Sequence, residues 1–455
     1  MITRIQYKNH IVLGNLYLDF QKPDGTPYKT IVLAGENGCG KTTILQTLAT
    51  FLNNGSILPF DYIEYTAQGE VWQVTTRHPP GGASWNDDNF AAGHHYLFRL
   101  SNNSYNPIVQ NKAQENINDI LYYGCVLSKA RSGFKTQPIE FVKANVLDVA
   151  KYDNDNSDDF TSIKQLLVDI ESQDSSEWMN YSFANKGANI DNYEPNFRLS
   201  RFKTAFNGFF EKIKFKEIKT VKGRKQIVFT KNNKDIDIDH LSTGEQQIVF
   251  RGAQLLRNSN SIKNGIVLID EPELSMHPRW QSKILNYYRN LFQDSNGQAV
   301  QIILATHSEE VLKTALNDSD TLVITLKEEN GVISQTTINA PIILPTITSS
   351  EINYLAFGIC STDFHIALFS QIQNFNGLML IKDVDNYIKN DPHYIYSKHF
   401  KQYSFTKADG SIQTYDTLPV YIRNSIDHPD NLHSYNQDEL KESIELLIQI
   451  INHTV

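Results

Sequence analysis

The strongest hydrophobic signal in the chain is a set of short apolar runs: Ile31-Val32-Leu33-Ala34, Ile266-Val267-Leu268-Ile269 and the stretch from Ala299 to Ala305. Such runs are what strands covered on both faces of a parallel sheet require. Other segments keep other periods. Ile213 and Phe215, then Ile227 and Phe229, alternate with polar residues around Lys222-Gly223, which predicts a hairpin. Ile163 to Ile170 and Phe197 to Ile213 carry helical spacing over short lengths, and helices are expected at about 111 to 121 and 161 to 172. No heptad pattern is sustained, which argues against a long coiled coil. Near the end, Ser349 to Gly358 begins like a capped helix and Thr362 to Ile372 like a second. A last amphipathic helix bearing Leu440, Ile444, Leu447, Ile448 and Ile451 opens at Asn436-Gln437-Asp438-Glu439, a capping box.

Each apolar run ends in residues that carry chemistry. The first leads into Gly35-Glu36-Asn37-Gly38-Cys39-Gly40-Lys41-Thr42-Thr43, which completes the G-x-x-x-x-G-K-[ST] phosphate-binding pattern. A strand, a glycine-rich turn and a helix opening at Lys41 would turn unpaired backbone N–H groups and a helix N-terminus toward phosphates. In that arrangement Lys41 reaches the β- and γ-phosphates, and Thr42 offers a hydroxyl to Mg²⁺. The second run ends in Asp270-Glu271-Pro272-Glu273. Asp270 is placed to hold Mg²⁺ through water, and Glu271 to polarise an attacking water. The third run ends at Thr306-His307-Ser308, where His307 would contact the γ-phosphate.

Between them lies Leu241-Ser242-Thr243-Gly244-Glu245-Gln246-Gln247. These motifs, in this order, resemble an ABC-type ATPase head, an α/β fold. The resemblance implies that Ser242, Gly244 and Glu245 complete the nucleotide site of an opposite subunit, so that ATP joins two heads. Thr243 and Glu245 depart from the common Ser-Gly-Gly-Gln form and resemble the SMC-like and defence branches of the class rather than transporters. The glutamine of the class's Q-loop is not evident from the sequence; Gln137 is the candidate.

Length and charge refine this picture. At 455 residues the chain exceeds such a head, so the head is divided into 1–80 and 201–335, with a short helical insertion at 81–200 and an α-helical C-terminal region at 336–455. No apolar stretch approaches the roughly 20 residues that cross a bilayer, and Met1-Ile2-Thr3-Arg4 opens without a signal-peptide core, so the expectation is a cytoplasmic protein with no membrane partner. Cys39, Cys125 and Cys360 are too scattered for zinc and too few for a disulfide framework. Cys39 reads as a small filler in the phosphate loop, with redox sensing the alternative.

The net charge of −9 is unevenly spread, with eleven acidic residues against three Lys in 148–194 and eleven basic against two Glu in 201–234. Asp153 to Asp159 reads as a solvated loop without calcium-loop spacing. Lys212, Lys214, Lys216, Lys219, Lys222, Arg224 and Lys225 would gather along the hairpin, where they could bind nucleic-acid phosphates. A solvated strand face, or a mate for the acidic segment, is the preferred reading.

Arg423, Asn424 and His428 match the R-N-x-x-x-H form of HEPN ribonucleases, in which His428 would act as general acid or base and Arg423 would stabilise the phosphorane. Pro429 interrupts the helix such a site occupies. A polar cluster that pins the last helix, or docks a partner, is the preferred account.

Taken whole, the chain resembles the PtuA-type ATPases of Septu and retron-associated antiphage systems. The closer likeness rests on the short insertion, Glu351-Ile352-Asn353-Tyr354-Leu355-Ala356-Phe357-Gly358, His365, and Arg423-Asn424 with His428-Pro429 before Tyr435 and the final helix. It implies homodimers built into a higher oligomer that holds an HNH-type nuclease, PtuB, in check. Nothing in the chain supplies an H-N-H centre. Two alternatives stay open: an ATP-gated ribonuclease toxin using Arg423 and His428, and a DNA-repair or DNA-binding ATPase working through the basic hairpin.

Overall fold

The computed structural model describes residues 1–54, 57–67, 69–75, 95–100, 104–108, 124–129, 152–154, 161–193, 197–257, 259, 264–294, 297–339, 343–406, 410–430 and 432–454. They form two compact units, Met1–Thr337 and Ile338–Val455.

The first unit is built on a seven-stranded sheet in the order Val332–Ile338, Thr321–Glu329, Thr30–Gly35, Gln301–Ala305, Ile266–Asp270, Cys125–Ser128, Tyr152–Asn154. From Thr321–Glu329 through Tyr152–Asn154 each neighbouring pair runs parallel. The strands formed from the three apolar runs occupy its centre and are wholly buried, as strands covered on both faces must be. A six-stranded antiparallel sheet begins with Tyr17–Asp19, Ile2–Tyr7 and Phe60–Ala67. One core joins the two sheets, with Ile44, Leu45 and Leu48 of helix Lys41–Asn54 in its midst. That packing fixes the helix at the end of the phosphate loop.

The stretch 81–200 is more than a helical lobe. It supplies His95–Arg99 and Ser104–Ile108 to the antiparallel sheet, and Cys125–Ser128 and Tyr152–Asn154 to the parallel one. Asp153 and Asn154, expected in a solvated loop, therefore lie on a strand paired with Val126 and Leu127. The helix expected near 161–172 runs from Thr161 to Ala184. Its polar second half persists because Asp174 and Glu177 both bind the buried Arg198, at 3.2 and 3.1 Å. The helix expected at 111–121, and Gln137, lie outside the described residues.

The basic hairpin is Ile213–Val221 and Arg224–Lys231, joined at Lys222 and Gly223, both at positive φ. A third strand, Lys234–Asp237, extends it. Phe215 and Phe229 pack across the pair and against Phe202 and Phe206 of helix Arg198–Phe209. Several of its charges are already engaged. Lys216 binds Asp235, Lys225 lies 3.7 Å from Glu171 of the acidic segment, and Lys214 donates to the Phe210 carbonyl.

The second unit packs helices Ser349–Phe357, Thr362–Phe375, Ile381–Lys389, Leu418–Asp427 and Gln437–Thr454 around one core. It also contains a hairpin, Phe400–Thr406 with Ile412–Thr417, so it is not purely helical. The expected capping box closes reciprocally, Asn436 and Glu439 each bonding the other's backbone N–H at 2.9 Å. Among the described residues no single helix is long and apolar enough to cross a membrane. One bent pair, Ser349–Phe357 with Thr362–Phe375, passes by length and composition. Its Ile352, Phe364 and Leu368 are nonetheless buried within the protein.

His365 is wholly buried, with Nε2 3.0 Å from the Ser443 hydroxyl. Burial lowers its pKa from 6.5 to about 3. The unfolded chain therefore takes up a proton between those pH values that the folded chain refuses. The stability His365 permits is complete above pH 6.5 and falls by about 1.4 kcal/mol per unit as pH drops below it. Thermal melting between pH 7 and 4.5 is expected to show this loss. A His365→Gln variant should lose less over the same range, and equal slopes would refute the assignment.

Candidate active site

Strand Thr30–Gly35 delivers Gly35 at φ 141°, where a side chain would collide with the Leu326 carbonyl oxygen and the Cys39 sulfur. Only glycine fits there. Glu36, Asn37 and Gly38 form the exposed tip of the loop, Cys39 and Gly40 are buried beneath it, and Thr43 is half-buried. Lys41 is the first residue of its helix, and its ammonium donates to the carbonyl oxygens of Gly35 at 2.9 Å and Glu36 at 2.8 Å. Burial lowers its pKa against the pull of Cys39, Glu271 and Asp270.

The phosphate loop's helix and the strand Ile266–Asp270 meet through Thr42. Its hydroxyl lies 3.0 and 3.1 Å from the two oxygens of Asp270, at the tip of Ile266–Asp270. Burial raises the Asp270 pKa, and the Thr42 bond opposes the rise. A hydroxyl and a carboxylate are hard oxygen donors and suit a small divalent cation that completes its shell with water and phosphate oxygens. Among the described residues no group of three His, Cys, Asp or Glu side chains forms a metal cluster.

Glu271 has φ 42°, a left-handed conformation unusual for a residue with a Cβ, and its N–H donates to the Ala305 carbonyl at 3.0 Å. Backbone strain of this kind collects at functional sites. One of its carboxylate oxygens lies 3.4 Å from His307 Nε2. Burial and then the Lys41 charge lower the His307 pKa, while Glu271 and the Gly35 backbone pull the other way. The imidazole is therefore neutral at neutral pH. Lys41, Thr42, Asp270, Glu271 and His307 thus converge at the ends of three neighbouring strands.

Ser242 and Gly244 are held elsewhere. Ser242 is exposed just before helix Thr243–Arg257, and its N–H donates to Glu245 at 2.8 Å. Glu245 is buried and also binds Lys231 at 2.8 Å, so its carboxylate is spent on its own helix and hairpin. A side chain at Gly244 would sit 3.0 Å from the Ser275 carbonyl and 3.2 Å from the Trp280 ring. Arg251, farther along the same helix and outside every motif, ties it to the ends of strands Ile266–Asp270 and Cys125–Ser128. It donates to the carbonyl oxygens of Asp270 at 2.9 Å and Lys129 at 2.8 Å. Sequence reasoning missed it, because nothing local marks an arginine whose partners are distant carbonyls.

The Arg423 guanidinium binds Asp427 at 2.7 Å on its own helix and Asn424 at 2.8 Å, while His428 is an exposed residue at the helix end.

Fold and site together define an ABC-type P-loop ATPase head. The family described as "AAA domain, putative AbiEii toxin, Type IV TA system" matches residues 31–313, and the chain belongs to it. It is 24% identical over 298 residues to the Septu protein PtuA of Bacillus thuringiensis, covering 62% of this chain and 67% of that protein. It is 33% identical over 115 residues to the Retron Vc95 probable ATPase of Vibrio cholerae serotype O1 biovar El Tor, covering 23% of this chain and 21% of that protein. The chain thus spans about a fifth of the latter's length. Similar solved structures include the SMC head domain from Thermotoga maritima, at 14% identity and a TM-score of 0.37, covering 74% of this chain and 99% of that one.

Proposed function

We propose that the chain is the ATP-binding and ATP-hydrolysing regulatory subunit of a cytoplasmic bacterial antiphage complex, and that it controls a partner HNH-type nuclease. The observation that carries the catalytic part is the meeting of Thr42 with Asp270 and of Glu271 with His307 at one end of the parallel sheet. The likeness to PtuA and a retron ATPase supports the setting.

In this reading Lys41 exchanges the carbonyl oxygens of Gly35 and Glu36 for phosphate oxygens, a charge-assisted contact that stabilises the anion. The backbone N–H groups of Gly38 to Thr43 cradle the phosphates. Thr42 and Asp270 hold Mg²⁺, which when bound neutralises charge on the phosphate oxygens. Glu271 receives the proton of the attacking water, and His307 is placed to bond the departing phosphoryl group. Ser242, exposed just before a helix N-terminus, and Gly244, buried in that helix's first turn, serve the nucleotide of a second copy, so that ATP holds two heads together.

Neither alternative gains support from the geometry. The ion pair with Asp427 occupies Arg423, and Lys214, Lys216 and Lys225 of the hairpin bind groups within the chain. Purifying the protein together with the product of its neighbouring gene, with and without ATP, tests the proposal. A stable higher-order assembly containing a small nuclease is the expected result. A bare dimer that cleaves RNA without a partner would overturn it.

A further inference from the structure

Glu273 lies two residues beyond Glu271 in a loop where Glu271 and Ser275 both take positive φ, at 42° and 63°. Those two turns carry its side chain to the neighbouring strand end. One carboxylate oxygen accepts two bonds of 2.7 Å, from the Thr306 hydroxyl and from the backbone N–H of His307. The other oxygen is buried and, among the described residues, has no hydrogen-bond partner. A half-buried carboxylate that spends one oxygen on two adjacent donors fixes the backbone from which the His307 side chain departs.

The contact continues into the next helix. The Thr306 hydroxyl accepts from the Ser308 N–H at 3.0 Å, and Ser308 caps helix Glu309–Leu316 through Val311 at 3.2 Å. The Ser308 hydroxyl also donates to Gln281 at 2.6 Å, whose amide donates back to the Met276 carbonyl of the Glu273 loop at 3.0 Å. The loop after Asp270 and the loop bearing His307 are thereby joined at two points.

We propose that Glu273 is a positioning residue for hydrolysis: by holding Thr306 and the His307 backbone it sets His307 at its distance from Glu271, without touching nucleotide. This rests on the hydrolytic reading of the site. The role predicts a split between turnover and binding, since none of these bonds is made to a residue of the phosphate loop, Gly35 to Thr43.

The test compares steady-state ATP hydrolysis and ATP affinity of the full chain with Glu273→Ala, Glu273→Gln and Thr306→Val. Glu273→Ala is expected to lower kcat by at least about tenfold while leaving ATP affinity within about threefold. Glu273→Gln, which still offers an oxygen to both donors, should recover most of that loss. Thr306→Val, which removes one of the two bonds, should fall between. A Glu273→Ala protein with unchanged kcat, or one that loses affinity as steeply as turnover, overturns the proposal. If Glu273→Ala does not fold, as judged by its melting curve, Thr306→Val decides, and an unchanged kcat there overturns it. The wider reading fails separately: it falls if the unaltered protein hydrolyses no ATP, whereas normal hydrolysis that is lost in Glu271→Gln but kept in Glu273→Ala removes this inference alone.

Discussion

Glu271→Gln is expected to bind ATP as tightly as the unaltered protein while hydrolysing it at least about a hundredfold more slowly, the loss typical of removing a general base. The substitution changes little else. Glutamine keeps the length and volume of glutamate, and the structural bond at this position comes from the backbone N–H to Ala305, which the change leaves in place. What disappears is the charge and basicity of the carboxylate, one oxygen of which lies 3.4 Å from His307 Nε2. Because binding draws on Lys41 and the loop backbone, the substituted protein should trap ATP and accumulate as joined heads. Single-turnover hydrolysis and nucleotide-dependent size measurement check both halves. Hydrolysis at the normal rate would remove Glu271 from the mechanism and with it the assignment of the second strand.

The parts legible in the sequence are those whose determinants are contiguous. The Gly35–Thr43 loop, the Ile266–Asp270 strand and the hairpin around Lys222-Gly223 announce themselves because strand, turn and helix signals abut. The strand Cys125–Ser128 does not. It is four residues long, flanked by no motif, and becomes a strand because its partner Ile266–Ile269 offers an open edge. The same holds for charge. The density of lysines locates the hairpin but not the partners of Lys216 and Lys225, since Asp235 and Glu171 are reached only after folding. Glu273 is visible as the last acid of Asp270-Glu271-Pro272-Glu273, yet its task depends on two left-handed turns that no propensity predicts. The site's chemistry is thus written locally, while the supports that aim it, Arg251 and Glu273, are set by tertiary contact.

Lys41→Ala should abolish measurable ATP binding, and therefore turnover. The ammonium is buried at the mouth of the phosphate loop and spends its protons on two backbone carbonyls, of Gly35 and Glu36, that lie on the loop itself. A carbonyl pair is a poorer partner for a desolvated cation than a phosphate, so nucleotide should replace them with a net gain. Burial has already pushed the Lys41 pKa down, and a phosphate anion would raise it again by supplying the opposite charge. Alanine removes that gain and leaves the two carbonyl oxygens without their donor, which should disturb the loop as well as empty it of charge. Titration with a fluorescent ATP analogue measures the effect. Since a partly buried charge pair of this kind contributes several kcal/mol, the affinity should fall by about a hundredfold or more. If affinity survives the substitution, phosphate is not bound where Gly35 to Thr43 place it, and the nucleotide reading of the whole strand end has to be abandoned.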